Sequence, residues 1–128
     1  MTIARILVVD DDPDFCEVVR LALTSSGYEV FTAENTRQAQ REIELQWPDL
    51  IILDATTDEV DEGLKYGEEL HHDPILRHIP IIMTSFVEIP QKDGIDPNDY
   101  HFVSRWLEKP IEPQKLVRIV GNVLEQKR

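Results

Sequence analysis

The chain has 128 residues and carries 25 acids against 13 bases, for a formal net charge of −12. That length suits one domain, residues 1–128, with a sizeable core. The negative balance has the wrong sign for direct nucleic-acid binding, which draws its affinity from neutralised phosphates. It suits a cation or a basic partner surface, although most of the acids simply keep the chain soluble. A lone cysteine, Cys16, excludes an internal disulfide. No apolar stretch is long enough to insert in a membrane and no signal-peptide layout opens the chain, so the expected location is cytoplasmic.

Residues 5–9 (RILVV) are apolar after the first, as in a strand buried on both faces. Asp12-Pro13 then predicts a helix cap followed by proline in the first turn. Phe15, Val18, Val19 and Ala22 recur at helical spacing, and Gly27 sits where that helix stops. A second strand is expected at 28–33 and a second helix at 36–45. After Pro48 a third strand, DLIILD, covers 49–54, and a third helix about 63–72. Pro80 introduces a fourth strand at 81–85. A short apolar segment follows at 105–108, and a last helix runs from about 113 to 125, with Leu116, Ile119, Val120, Val123 and Leu124 on one face. Strands alternating with helices at this spacing imply right-handed βαβ units and a doubly wound parallel α/β sheet. Ligands of such sheets sit beyond the carboxyl ends of the strands.

Those ends carry the polar residues. Asp10 and Asp11 end the first strand, Asp54 the third, Thr84 and Ser85 the fourth, and Lys109 the segment after it. Clustered carboxylates need a compensating cation to stay ionised. A hard oxygen set suits Mg²⁺ better than zinc, whose Cys and His ligands are missing. His71, His72, His78 and His101 match no ligand spacing. Asp12 reads as a cap, and Cys16 as a packed side chain rather than a reactive one.

The motifs ILVVDDD, LIILD, PIIMTS and LEKP, in this order, resemble the receiver domain of two-component response regulators over essentially the whole chain. The resemblance implies a flavodoxin-like (βα)5 sheet of strand order 2-1-3-4-5. Asp54 matches the phosphoacceptor, Asp11 the direct Mg²⁺ ligand and Asp10 its helper, with the carbonyl of Thr56 a further ligand. Lys109 matches the lysine that pairs with the phosphoryl oxygens, Ser85 the switch hydroxyl, and Trp106 the aromatic that reorients. The peptide before Pro110 is expected to be cis. The implied partners are a sensor histidine kinase or phosphotransfer protein and an unknown downstream protein. By the resemblance the chain is no turnover enzyme, catalysing only its own phosphotransfer and autodephosphorylation.

Four departures from the family stand out. Asp58 occupies the place of a common proline, and Gly63, nine residues after Asp54 rather than eight, suggests a one-residue insertion. Phe86 stands where a small residue is preferred and is expected to restrict donors or the hydrolytic water. Pro90, Gly94 and Pro97 oppose a full-length helix between strands four and five, so helix 4 of the pattern is expected to be largely replaced by loop. That changes the 85–110 surface through which the family signals. The switch aromatic is a tryptophan, free to be either core or switch. No output domain follows within these residues, so the expectation is a stand-alone or excised receiver domain. One rival is a receiver-fold interaction module that signals without phosphorylation. Another is a Mg²⁺-dependent phosphatase with an aspartyl intermediate, which would need an acid where Thr56 stands.

Overall fold

The computed structural model describes residues 3–55, 62–86 and 101–126. The apolar run after Arg5 becomes β1 (Arg5–Val9), followed by α1 (Pro13–Ser25), β2 (Glu29–Ala33), α2 (Thr36–Gln46), β3 (Leu50–Asp54), α3 (Glu62–His72), β4 (Ile81–Ser85), β5 (Val103–Glu108) and α4 (Pro113–Gln126). A short 3-10 turn, Leu76–His78, precedes β4. All strand pairs are parallel, and the sheet order is β2-β1-β3-β4-β5. This is the doubly wound flavodoxin-like arrangement. The expectation that loop replaces the helix between strands four and five lies outside the described residues, as do Thr56 and Asp58.

Alternation along the strands divides the core into two layers. Leu7, Val9, Ile51, Leu53, Ile81 and Met83 pack with Ala39 and Ile43 of α2 and Leu64 and Leu70 of α3. Ile6, Val8, Leu50, Ile52, Ile82 and Leu107 pack on the other side, with Val19 and Leu23 of α1 and Leu116, Ile119, Val120 and Val123 of α4. Strands covered on both faces have no polar side to show, which is why β1, β3 and β4 read as unbroken apolar runs.

The caps fall at the expected punctuation. The Asp12 side chain accepts from the backbone N–H groups of Asp14 and Phe15, with Pro13 in the first turn. Gly27, at φ 95°, takes the left-handed conformation after α1. One helical expectation is corrected: Val18 lies outside the core at 50% exposure, and Cys16 and Leu23 take its place on the buried stripe. The last strand also begins two residues before the expected 105. A register shift pairs Ile81 with Val103 but Ile82 with Arg105. The extra residue, Ser104, breaks the period-two pattern that would have marked the strand's start.

Gly63 seats α3 against the end of β3. A Cβ there would lie 2.8 Å from the Asp54 carbonyl carbon, 2.9 Å from that of Ala55, and closer still to the Asp54 carbonyl oxygen. At Gly67 the nearest atom, at 2.7 Å, is the flexible end of Met83. Backbone cannot yield as a side chain can, so Gly63→Ala should cost about 1–3 kcal/mol of overpacking. Gly67→Ala should cost less, partly offset by about 1 kcal/mol of helix propensity. Urea unfolding of the two variants checks this, and equal midpoints would contradict it.

Candidate functional site

The loop after β1 is bent so that its first aspartate faces the sheet. The Asp10 backbone N–H donates to the Ala33 carbonyl at 3.0 Å, and its Oδ1 accepts from the Asp12 N–H at 2.9 Å. Asp10 is thereby 1% exposed and Asp54, at the end of β3, 5% exposed. Asp11 stays open to solvent. One carboxylate oxygen from each of Asp10, Asp11 and Asp54 falls within 4.8 Å of the others. Among the described residues this is the one such grouping of His, Cys, Asp and Glu side chains, so the histidines form no comparable cluster. His71 instead stacks on Phe102, with ring centroids 5.2 Å apart.

Lys109 reaches this cluster from beyond β5. Its backbone N–H donates to the Ser85 carbonyl at 2.6 Å, fixing the start of the side chain. The peptide to Pro110 is cis, as expected. The ammonium lies 2.5 Å from Asp10 Oδ2 and 3.7 Å from Asp54 Oδ2, and the lysine side chain is 3% exposed. Burying a charge is tolerable only with such partners. Among the described residues, three carboxylates against one ammonium leave a formal local excess of two negative charges. An oxygen-only donor set with that excess fits one hard divalent cation, with room for water on the exposed Asp11 side.

Two aromatic rings complete the lysine's surroundings. Phe15 of α1 lies 4.4 Å from the ammonium, ring centroid to Nζ, and Phe86 lies 4.9 Å away. Such contacts contribute about 0.5–2 kcal/mol each. Phe86 is otherwise 69% exposed, so it forms a cover on the solvent side of the site. Helical spacing identified Phe15 only as a packing residue. Its contact with Lys109 joins the first turn of α1 to the end of β5, a pairing no local pattern reveals.

Of the other expected site residues, Ser85 reaches the same rim, Trp106 lies within β5 beside Met83, and Thr56 is outside the described residues. Ser85 ends β4 and is buried. Trp106 is partly covered and packs against the layer beneath α2 and α3. Cys16 lies under the loop, its thiol donating to the Asp10 carbonyl at 3.4 Å. Burial, helped by the charges of Asp10 and Asp12, pushes its pKa up to about 12, so the thiol is neutral at physiological pH.

An open parallel sheet that gathers carboxylates and one lysine at its carboxyl edge defines a flavodoxin-like α/β protein with an acidic rim. Residues 6–121 match the family described as the response regulator receiver domain. The chain is 34% identical over 124 residues to the transcriptional regulatory protein GlrR of Escherichia coli, covering 96% of this chain and 27% of that protein. It is 35% identical over 123 residues to the phosphate regulon transcriptional regulatory protein PhoB of Pseudomonas aeruginosa, covering 94% and 52%. The chain thus spans between about a quarter and a half of these relatives' length. The crystal structure of the chemotaxis response regulator CheY4 of Vibrio cholerae superposes with a TM-score of 0.79 at 26% identity, over 95% of this chain and 99% of that one. The chain belongs to the receiver-domain family of two-component response regulators, which are signalling modules rather than turnover enzymes. No helix among the described residues is long and apolar enough to cross a membrane.

Two outcomes follow from this geometry. Lys109→Met would strip the compensating charge from buried carboxylates and should cost about 3–5 kcal/mol of stability in urea at neutral pH. An unchanged midpoint would show that the ion pair is not formed. Cys16 should resist iodoacetamide at pH 8 in the folded protein and react once urea unfolds it, as followed by intact mass. Labelling at equal rates in both states would contradict its burial.

Proposed function

We propose that residues 1–128 form one receiver domain that accepts a phosphoryl group on Asp54 and signals through the change that follows. The observation that supports this most is the buried Lys109 ammonium, 2.5 Å from Asp10 and 3.7 Å from Asp54. A lysine so placed offsets the repulsion between an anionic nucleophile and an anionic donor. Asp11 and Asp54 would ligate Mg²⁺ directly, Asp10 would orient it, and the Thr56 carbonyl would complete the protein's share. When bound, the ion supplies positive charge to the transferring oxygens.

In the step itself an Asp54 carboxylate oxygen attacks phosphorus and a P–O bond forms. The P–N bond to the donor imidazole breaks, and that nitrogen keeps the electron pair and takes up a proton. The donor is the phosphohistidine of a sensor kinase or phosphotransfer protein. The Ser85 hydroxyl then donates to the new phosphoryl group. Lys109 shifts from Asp10 toward it, and Phe86 and Trp106 follow, changing the 85–110 surface for a downstream protein. Phe86 covers the lysine, which slows both small donors and the hydrolytic water of autodephosphorylation. The rival module that signals without phosphorylation accounts less well for a buried lysine held among carboxylates.

Incubation with phosphoramidate should add one phosphoryl mass to the wild type with Mg²⁺, and none without Mg²⁺ or in Asp54→Asn. No gain in the wild type would favour the non-phosphorylated module. Phe86→Ala should accept phosphoramidate faster and lose the label several-fold faster. If both rates stay at the wild-type values, Phe86 has no gating role.

A further inference from the structure

Thr84 is the polar residue that the preceding scheme leaves idle, and its surroundings are unusual. It is 0% exposed, and its hydroxyl is the one buried side-chain polar atom among the described residues that finds no hydrogen-bond partner. Valine would fill the same space without burying an unsatisfied hydroxyl, which is a destabilising arrangement. A threonine here therefore asks for a state in which the hydroxyl is used.

The sheet indicates which state. Thr84 pairs with Asp54 on one side and with Leu107 on the other. Leu53 and Met83, one residue earlier, both belong to the layer under α2 and α3. Ile52, Ile82 and Leu107 belong to the layer under α1 and α4. Alternation thus puts Asp54 and Thr84 side by side on that second face, in line with Leu107. Asp10 joins the same row, because Val9 pairs with Leu53. To reach Asp10 from the end of β5, Lys109 must cross β4 and β3, the strands that carry Thr84 and Asp54. Ser85, one residue on, belongs to the opposite face of β4, so the two adjacent hydroxyls are not interchangeable.

We infer that Thr84 is a positioning residue for Asp54: in the loaded site its hydroxyl donates to the Asp54 carboxyl group and holds the nucleophilic oxygen toward the donor. In the resting site Lys109 lies 3.7 Å from Asp54 and draws the carboxylate toward itself. When the ammonium turns to a phosphoryl oxygen, the carboxyl group is released to meet the hydroxyl beside it. The inference rests on Asp54 being the phosphoacceptor and adds a second contact that sets its orientation.

The test compares wild type, Thr84→Val and Thr84→Ser, each as the full chain. Without donor or metal, Thr84→Val should melt a few degrees higher than wild type, because an unsatisfied buried hydroxyl is gone. With phosphoramidate and Mg²⁺ it should gain the phosphoryl mass about tenfold more slowly, the loss expected for a hydrogen bond to a charged group. Thr84→Ser, which keeps the hydroxyl, should recover most of that rate. A Thr84→Val chain that is no more stable, or that reacts at the wild-type rate, overturns the inference. So does a slow Thr84→Ser chain, which would make the effect one of shape. A wild type that takes up no phosphoryl group overturns the reading of Asp54 itself, and this inference with it.

Discussion

The structure turns on one buried ammonium. Lys109 brings a positive charge to three carboxylates that end two neighbouring strands, and without it their mutual repulsion would act in a region of low dielectric. Asp10 takes the ammonium directly and Asp54 shares it at a longer distance. Among the described residues the compensation is incomplete by two charges. A site fully neutralised by protein groups would have no call for an ion, and one with no lysine would be hard to fold. The partial balance suits a stable resting chain and the proposed divalent cation alike.

The rest of the fold serves to keep that balance in place. Parallel strands covered on both faces bring their carboxyl ends to one rim, where the sheet order sets β3 between β1 and β4. The Asp12 cap starts α1 immediately after the acidic pair, which directs Phe15 over the lysine and Cys16 under the loop. Gly63 lets α3 close on the Asp54 carbonyl, so the backbone that carries the proposed nucleophile is gripped from the side. Phe86 shields the ammonium where the site opens to solvent. The relatives GlrR and PhoB are transcriptional regulators of which the chain spans only a part.

Much of this was readable in the sequence, for identifiable reasons. Continuous apolar runs that end in charge mark buried strands delivering side chains to a rim, which makes Asp10, Asp11 and Asp54 legible in the sequence, while Lys109 follows only the short segment 105–108. The caps at Asp12 and Gly27 were equally plain, because their chemistry is local. What escaped depends on tertiary register. The bulge at Ser104 hides the first residues of β5, and Val18 faces solvent because it lies about 100° around the helix from Val19, which shares the buried stripe with Cys16 and Leu23. The rings of Phe15 and Phe86 on Lys109, and the place of Thr84 beside Asp54, require the strand pairing to be known. In the sequence Thr84 is only one polar residue at a strand end; the strand register shared with Asp54 distinguishes it from Ser85.

The acidic rim is proposed to bind one hard divalent cation, and the rest of the reading hangs on that ion. Isothermal titration of Mg²⁺ into the wild type and into Asp11→Ala, which removes an exposed carboxylate without disturbing the buried lysine pair, tests it directly. One ion per wild-type chain is expected, with an affinity at least about tenfold weaker in the variant. Equal affinities, or no binding to the wild type at millimolar Mg²⁺, would contradict it.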